Sequence, residues 1–155
     1  MKLISVVIPY FKKKKYIEKT LHSILNQTYK NFEVIIIYDD SDKNELLFLK
    51  RITKNKKKIR IIDNKKNLGP GLSRNKGIHY ARGDFVAFID ADDIWKKNKL
   101  EYQTKFMLNN NALISHTSYE ILKDKKIISS RKAKDFTHLE KLLKSCDIGL
   151  STVMV

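Results

Sequence analysis

A chain of 155 residues with 42% hydrophobic side chains can bury one real core, and its formal net charge is +15. No apolar run approaches the ~20 residues that span a bilayer, and Met1-Lys2 leads directly into a strand-like segment without a signal-peptide pattern, so the expectation is a cytoplasmic protein. One cysteine, Cys146, excludes an internal disulfide and offers no metal-ligand spacing.

Residues 3–9 (LISVVIP) form a continuous apolar run and predict a first strand. Residues 16–26 bring Ile17, Leu21, Ile24 and Leu25 onto one helical face. Residues 32–38 (FEVIIIY) predict a second buried strand, followed by a helix carrying Leu46, Leu47, Leu49 and Ile52. A short strand over 59–62 follows a lysine loop. The stretch Asn67-Leu-Gly-Pro-Gly71 then punctuates the backbone before a helix over 72–81. Residues 85–89 (FVAFI) predict a fourth strand and 98–108 a fourth helix. Beyond 109 the pattern loosens to a strand over 112–117, a hairpin strand over 126–129 and a helix over 137–145. Strands that are apolar throughout and alternate with helices predict an α/β fold, a mostly parallel sheet covered on both faces.

Ligands of such sheets sit beyond the carboxyl ends of the strands, and the polar residues of this chain gather there. Pro9-Tyr10-Phe11 ends the first strand and Asp39-Asp40-Ser41-Asp42 the second. The fourth runs into Asp90-Ala-Asp-Asp93. Asp90 and Asp92 fall on one side of the extended chain, because strand side chains repeat every two residues, while Asp93 faces away or begins a turn. Carboxylates that close repel unless a cation joins them, and oxygen-only ligands favour Mg²⁺ or Mn²⁺. The other reading is a solvated acidic turn capping the next helix. Asp39-Asp40 is equally a turn and capping signal or a hydrogen-bond acceptor for a base or ribose. Neither a Walker-type loop nor Gly-x-Gly-x-x-Gly is present, so phosphate falls to metal and to side chains such as Arg74.

Most of the positive charge is lysine, in Lys12 to Lys15, Lys56 to Lys58, Lys65-Lys66, Lys96-Lys97 and Lys125-Lys126. An anionic membrane surface, nucleic acid or simple solvation would each account for it. Arginines are few and the clusters lack aromatic interleaving, which argues against nucleic acid.

The runs SVVIPYF, YIEKTLHSILNQTYKNFEVIIIYDDSD and NLGPGLSRNKGIHYARGDFVAFIDADD resemble the N-terminal nucleotide-sugar-binding half of the family 2 glycosyltransferases, with the GT-A fold. The resemblance covers residues 3–108 and leaves 109–155 as an incomplete acceptor-side region of a single domain. It implies that Pro9 and Phe11 lie beside the nucleobase and ribose, and that Asp39 or Asp40 accepts from the base, usually uracil. Arg74 would lie near base and diphosphate. Asp90, Asp92 and Asp93 match the DXD-type motif that binds the ribose and the Mn²⁺ or Mg²⁺ bridging the diphosphate. It further implies inverting transfer from a nucleotide-diphosphate sugar to a glycan or lipid-linked acceptor, as in bacterial surface polysaccharide synthesis. The lysine clusters, read as a membrane contact, would seat the chain at the inner face of the membrane.

Two departures stand out. The acidic motif after the second strand usually continues Gly-Ser, whereas Ser41-Asp42 follows here. Family members also run on past the position of Val155 through a segment that supplies the catalytic base, so no base is assigned. His116 reads as a structural histidine, Glu120 and Asp147 are weaker alternatives, and His22, His79 and His138 lack metal spacing. The competing expectations are a non-catalytic nucleotide-sugar-binding domain and a basic interaction module.

Overall fold

A strand apolar at consecutive positions needs cover on both faces, and β1 (Ile4–Tyr10) accordingly lies inside the sheet. The computed structural model describes residues 1–124, 126–134 and 148–155. The helix expected over 137–145, with His138, Cys146 and Asp147, lies outside the described residues, as does Lys125. In chain order β1 is followed by α1 (Lys14–Leu25), β2 (Phe32–Tyr38), α2 (Lys43–Thr53), β3 (Ile59–Asp63), α3 (Pro70–Tyr80), β4 (Phe85–Phe88) and α4 (Lys99–Asn109). An antiparallel hairpin of β5 (Tyr119–Lys123) and β6 (Lys126–Arg131) follows.

The four main strands are parallel in the order β3-β2-β1-β4. Ile4, Val6, Ile8 and Tyr10 of β1 share a core with Ile17, Leu21 and Ile24 of α1 and Leu49 of α2. On the opposite face Val7 packs with Phe88 and Val153. There α3 approaches so closely that a Cβ on Gly77 would stand 2.2 Å from a Val7 methyl. Residues 153–155 then pair antiparallel with β4, Val86 and Val155 exchanging both backbone hydrogen bonds at 2.7 and 2.9 Å. The sheet is therefore mostly parallel with one antiparallel edge.

Two expectations change. Helix α3 begins at Pro70, because proline is well accepted in a first helical turn and Gly69, at φ 85°, supplies the left-handed entry. The strand expected over 112–117 is a single bridge between Ser115 and Met154, with Leu113 and Ile114 exposed. Apolar, β-branched sequence makes a strand only where a facing backbone takes its hydrogen bonds, and Met154 offers Ser115 a pairing one residue wide.

Candidate functional site

The strand order reverses at β1, which leads to β2 on one side and is flanked by β4 on the other. Open parallel sheets hold ligands at such a switch point. A cleft of about 390 Å³ opens there, and the ends of β1, β2 and β4, together with the start of α3, contribute its walls.

Asp39 directly follows β2 and is almost fully buried. Its Oδ1 accepts from Asn64 Nδ2 at 2.9 Å and from the Leu68 backbone N–H at 2.7 Å, and its Oδ2 accepts from the Gly69 N–H at 2.9 Å. The carboxylate thus folds the loop that leads into α3 and sits at that helix's positive end. A carboxylate offers about four acceptor positions, so one remains to face the cleft. Asp40 turns away: its Oδ1 accepts from the backbone N–H groups of Ser41 and Asp42, closing its own turn.

The acidic turn after β4 is pinned from two directions. Thr20 of α1 donates to the Ala91 carbonyl at 2.9 Å, and the Asp90 N–H donates to Ser151 Oγ at 2.9 Å. Held so, Asp90 and Asp92 both face the cleft. Each carries a basic partner: Arg74 Nη2 lies 2.6 Å from Asp90 Oδ1, and Lys13 Nζ lies 2.6 Å from Asp92 Oδ2. The Asp92 hydrogen bond raises the Lys13 ammonium above its ordinary pKa. Asp93 does not line the cleft. It is exposed overall, but protein mass on its inner side pushes its carboxyl above the usual range, with the Ser151 hydroxyl working in the opposite direction.

Of the residues singled out in the sequence, Pro9, Phe11, Asp39, Arg74, Asp90 and Asp92 line this one cleft, while Asp40 and Asp93 do not. His116 is half-buried away from its lining, Glu120 pairs with Lys96 at 3.0 Å, His22 contacts Asn26 at 2.8 Å, and His79 packs edge-on against Tyr80. Sequence reasoning missed Lys13, Asn67 and Pro70 as lining residues, and Ser151 as a support. Position was the available signal for the first three, since Lys13 lies in the connection after β1, and Asn67 and Pro70 in and at the end of the connection after β3, on the side where the acids gather.

Residues 5–150 match the family described as Glycosyl transferase family 2. The chain belongs to that family. This family 2 domain is 40% identical to an uncharacterized glycosyltransferase of Rickettsia felis over 97% of its own length and 25% of the relative's. It is 36% identical to the Escherichia coli UDP-Glc:alpha-D-GlcNAc-diphosphoundecaprenol beta-1,3-glucosyltransferase WfgD over 99% of its own length and 60% of WfgD. It therefore spans only part of the curated relatives it matches. Among solved structures, S. aureus TarS 1-349 in complex with UDP-GlcNAc superposes with a TM-score of 0.72 at 28% identity, over 84% of this chain and 38% of TarS. The mostly parallel sheet flanked by helices is the GT-A fold.

GT-A enzymes of this family often use a divalent metal, and the residues present can be tested for one. Asp90 and Asp92 are hard oxygen donors on one wall, and each already accepts a cation at contact distance. Among the described residues no three acidic, histidine or cysteine side chains converge. The donor set thus suits an ion that takes one or two carboxylates and completes its shell with phosphate oxygens and water, the habit of Mg²⁺ and accessible to Mn²⁺.

Proposed function

We propose that this domain binds a nucleotide-diphosphate sugar, a UDP-sugar, in the cleft between β1 and β4 and transfers the sugar with inversion to an acceptor hydroxyl. The observation that carries this reading is the convergence, in one cleft, of a buried acceptor just after β2, an arginine on α3 and two carboxylates after β4. Those groups match the successive parts of such a donor. Phe11, 40% exposed at the rim, offers an apolar face to the nucleobase. The remaining acceptor position of Asp39 suits a base N–H.

Arg74 presents a guanidinium to the diphosphate oxygens, where charge grows as the sugar–phosphate bond breaks. Held on Asp90 at 2.6 Å, it is oriented before the donor arrives and needs little reorganisation. Asp90 and Asp92 would hold Mn²⁺ or Mg²⁺, which supplies further positive charge against the leaving oxygens. The acceptor oxygen forms its bond to the anomeric carbon on the face opposite the departing diphosphate, and its proton passes to a base on the acceptor side.

WfgD, by its name, uses UDP-Glc and a diphosphoundecaprenol-linked acceptor, and TarS is complexed with UDP-GlcNAc. These names support a UDP-sugar donor and a glycan or lipid-linked acceptor, and the proposal extends them to a place in surface polysaccharide synthesis. The lysine clusters and net charge of +15 suit work at the inner face of an anionic membrane. The test is a calorimetric titration with uridine diphosphate, with and without Mn²⁺, against guanosine diphosphate, on the wild-type chain and Asp92→Ala. Metal-dependent, uridine-selective binding that Asp92→Ala abolishes without unfolding is expected. Unchanged affinity in that variant would remove the assignment.

A further inference from the structure

Two carboxylates share the wall of the cleft, yet their basic partners differ in kind. Arg74 is 15% exposed along its side chain, a planar fork fixed on a helix. Lys13 is 40% exposed, its partner Asp92 36%, and the lysine stands at the entry to α1 just after Lys12 at φ 50°. A solvent-facing lysine pair is weakly held and exchanges partners readily. A flexible four-carbon stem lets the ammonium travel while its backbone stays in place.

Resting on the donor-cleft reading, we propose that Lys13 gates the metal position. Its ammonium, 2.6 Å from Asp92 Oδ2, occupies the place on that carboxylate that a divalent cation would take. When the donor arrives, the ammonium moves to the diphosphate and frees the carboxylate.

A dication and an ammonium on one carboxylate oxygen repel each other, so the metal must displace Lys13 before it can use Asp92 Oδ2. An ammonium displaced without a new anion would lose its hydrogen-bonded partner, which lowers affinity for the metal alone. The diphosphate supplies that anion within the same cleft, which Lys13 also lines. Metal and nucleotide therefore favour each other's binding, and by linkage the factor is the same in both directions.

The test compares the wild-type chain with Lys13→Met, Lys13→Arg and Lys15→Met. Binding of Mn²⁺ alone is read by electron paramagnetic resonance, and binding of uridine diphosphate with and without Mn²⁺ by calorimetry. Lys13→Met should bind Mn²⁺ alone at least threefold tighter than wild type, and its uridine diphosphate affinity should gain less from Mn²⁺. Lys13→Arg keeps the charge and should hold Mn²⁺ affinity near wild type. Lys15→Met removes the same charge without touching Asp92 and should also stay near wild type. Unchanged Mn²⁺ affinity in Lys13→Met, or an equal rise in Lys15→Met, would overturn the gate. A wild-type chain that binds Mn²⁺ but never uridine diphosphate would instead overturn the donor reading, and with it the exchange.

Discussion

Replacing Gly77 by alanine tests how tightly the helix that carries Arg74 is seated on the sheet. The new Cβ would stand 2.2 Å from one Val7 methyl, 3.1 Å from the other and 3.2 Å from Val7 Cβ. Rotating Val7 about χ1 moves only its methyls, so the third contact stays tight and the helix or strand must shift. Overpacking a core costs about 1–3 kcal/mol, and three close contacts place this site in the upper half of that range. Alanine recovers about 1 kcal/mol of helix propensity over glycine, leaving a net loss of about 1–2 kcal/mol. For a domain of this size that is a fall of about 2–8 °C in melting temperature. Urea unfolding followed by the fluorescence of buried Trp95 measures it. The variant Val7→Ala/Gly77→Ala removes both clashing methyls, so the double mutant should be more stable than the sum of the singles by about 1–2 kcal/mol. A Gly77→Ala chain that unfolds at or above the wild-type midpoint, or a strictly additive cycle, would refute the reasoning. Gly77 lies one turn beyond Arg74, so the shift should also weaken binding of uridine diphosphate.

Asp39→Asn turns an amide N–H₂ toward either the Leu68 or the Gly69 backbone N–H, each of which now faces a carboxylate oxygen; stability should fall by about 1.5–3 kcal/mol. Asp40→Asn keeps the one oxygen that closes its turn and should unfold near wild type, and equal losses in the two variants would contradict the roles assigned to them. Burial pushes the Lys99 amine down to about 7, although the Trp95 ring 4.0 Å away favours the charged form. Because the unfolded chain then binds the extra proton from pH 7 up to the ordinary lysine value, wild-type stability should rise with pH through that window. Lys99→Met should accordingly be more stable than wild type at pH 6, with the gap closing by pH 10 in urea titrations; a pH-independent gap would show that this amine stays charged. Vesicles containing anionic lipid should recruit the chain at low salt and release it at high salt, and equal recruitment by neutral vesicles would exclude a lysine-driven contact.

The local text of the chain determined much of the architecture. Apolar runs bounded by polar residues mark β1, β2, β3 and β4, and the acids after β2 and β4 belong to the carboxyl ends because each run stops there. The family motifs named the same residues, and six of the eight line one cleft. Tertiary structure decided the rest, because periodicity reports a residue's own element and not its partners. Lys13 is one of four identical neighbours in sequence. Only the placement of β4 beside β1 and the turn at Lys12 set its ammonium against a carboxylate 79 positions away. Asp39 and Asp40 are likewise the same residue type side by side, and the loop before α3 chooses the first. Ser151 supports the acidic turn only because residues 153–155 fold back along β4, a pairing across more than sixty residues that no local pattern encodes.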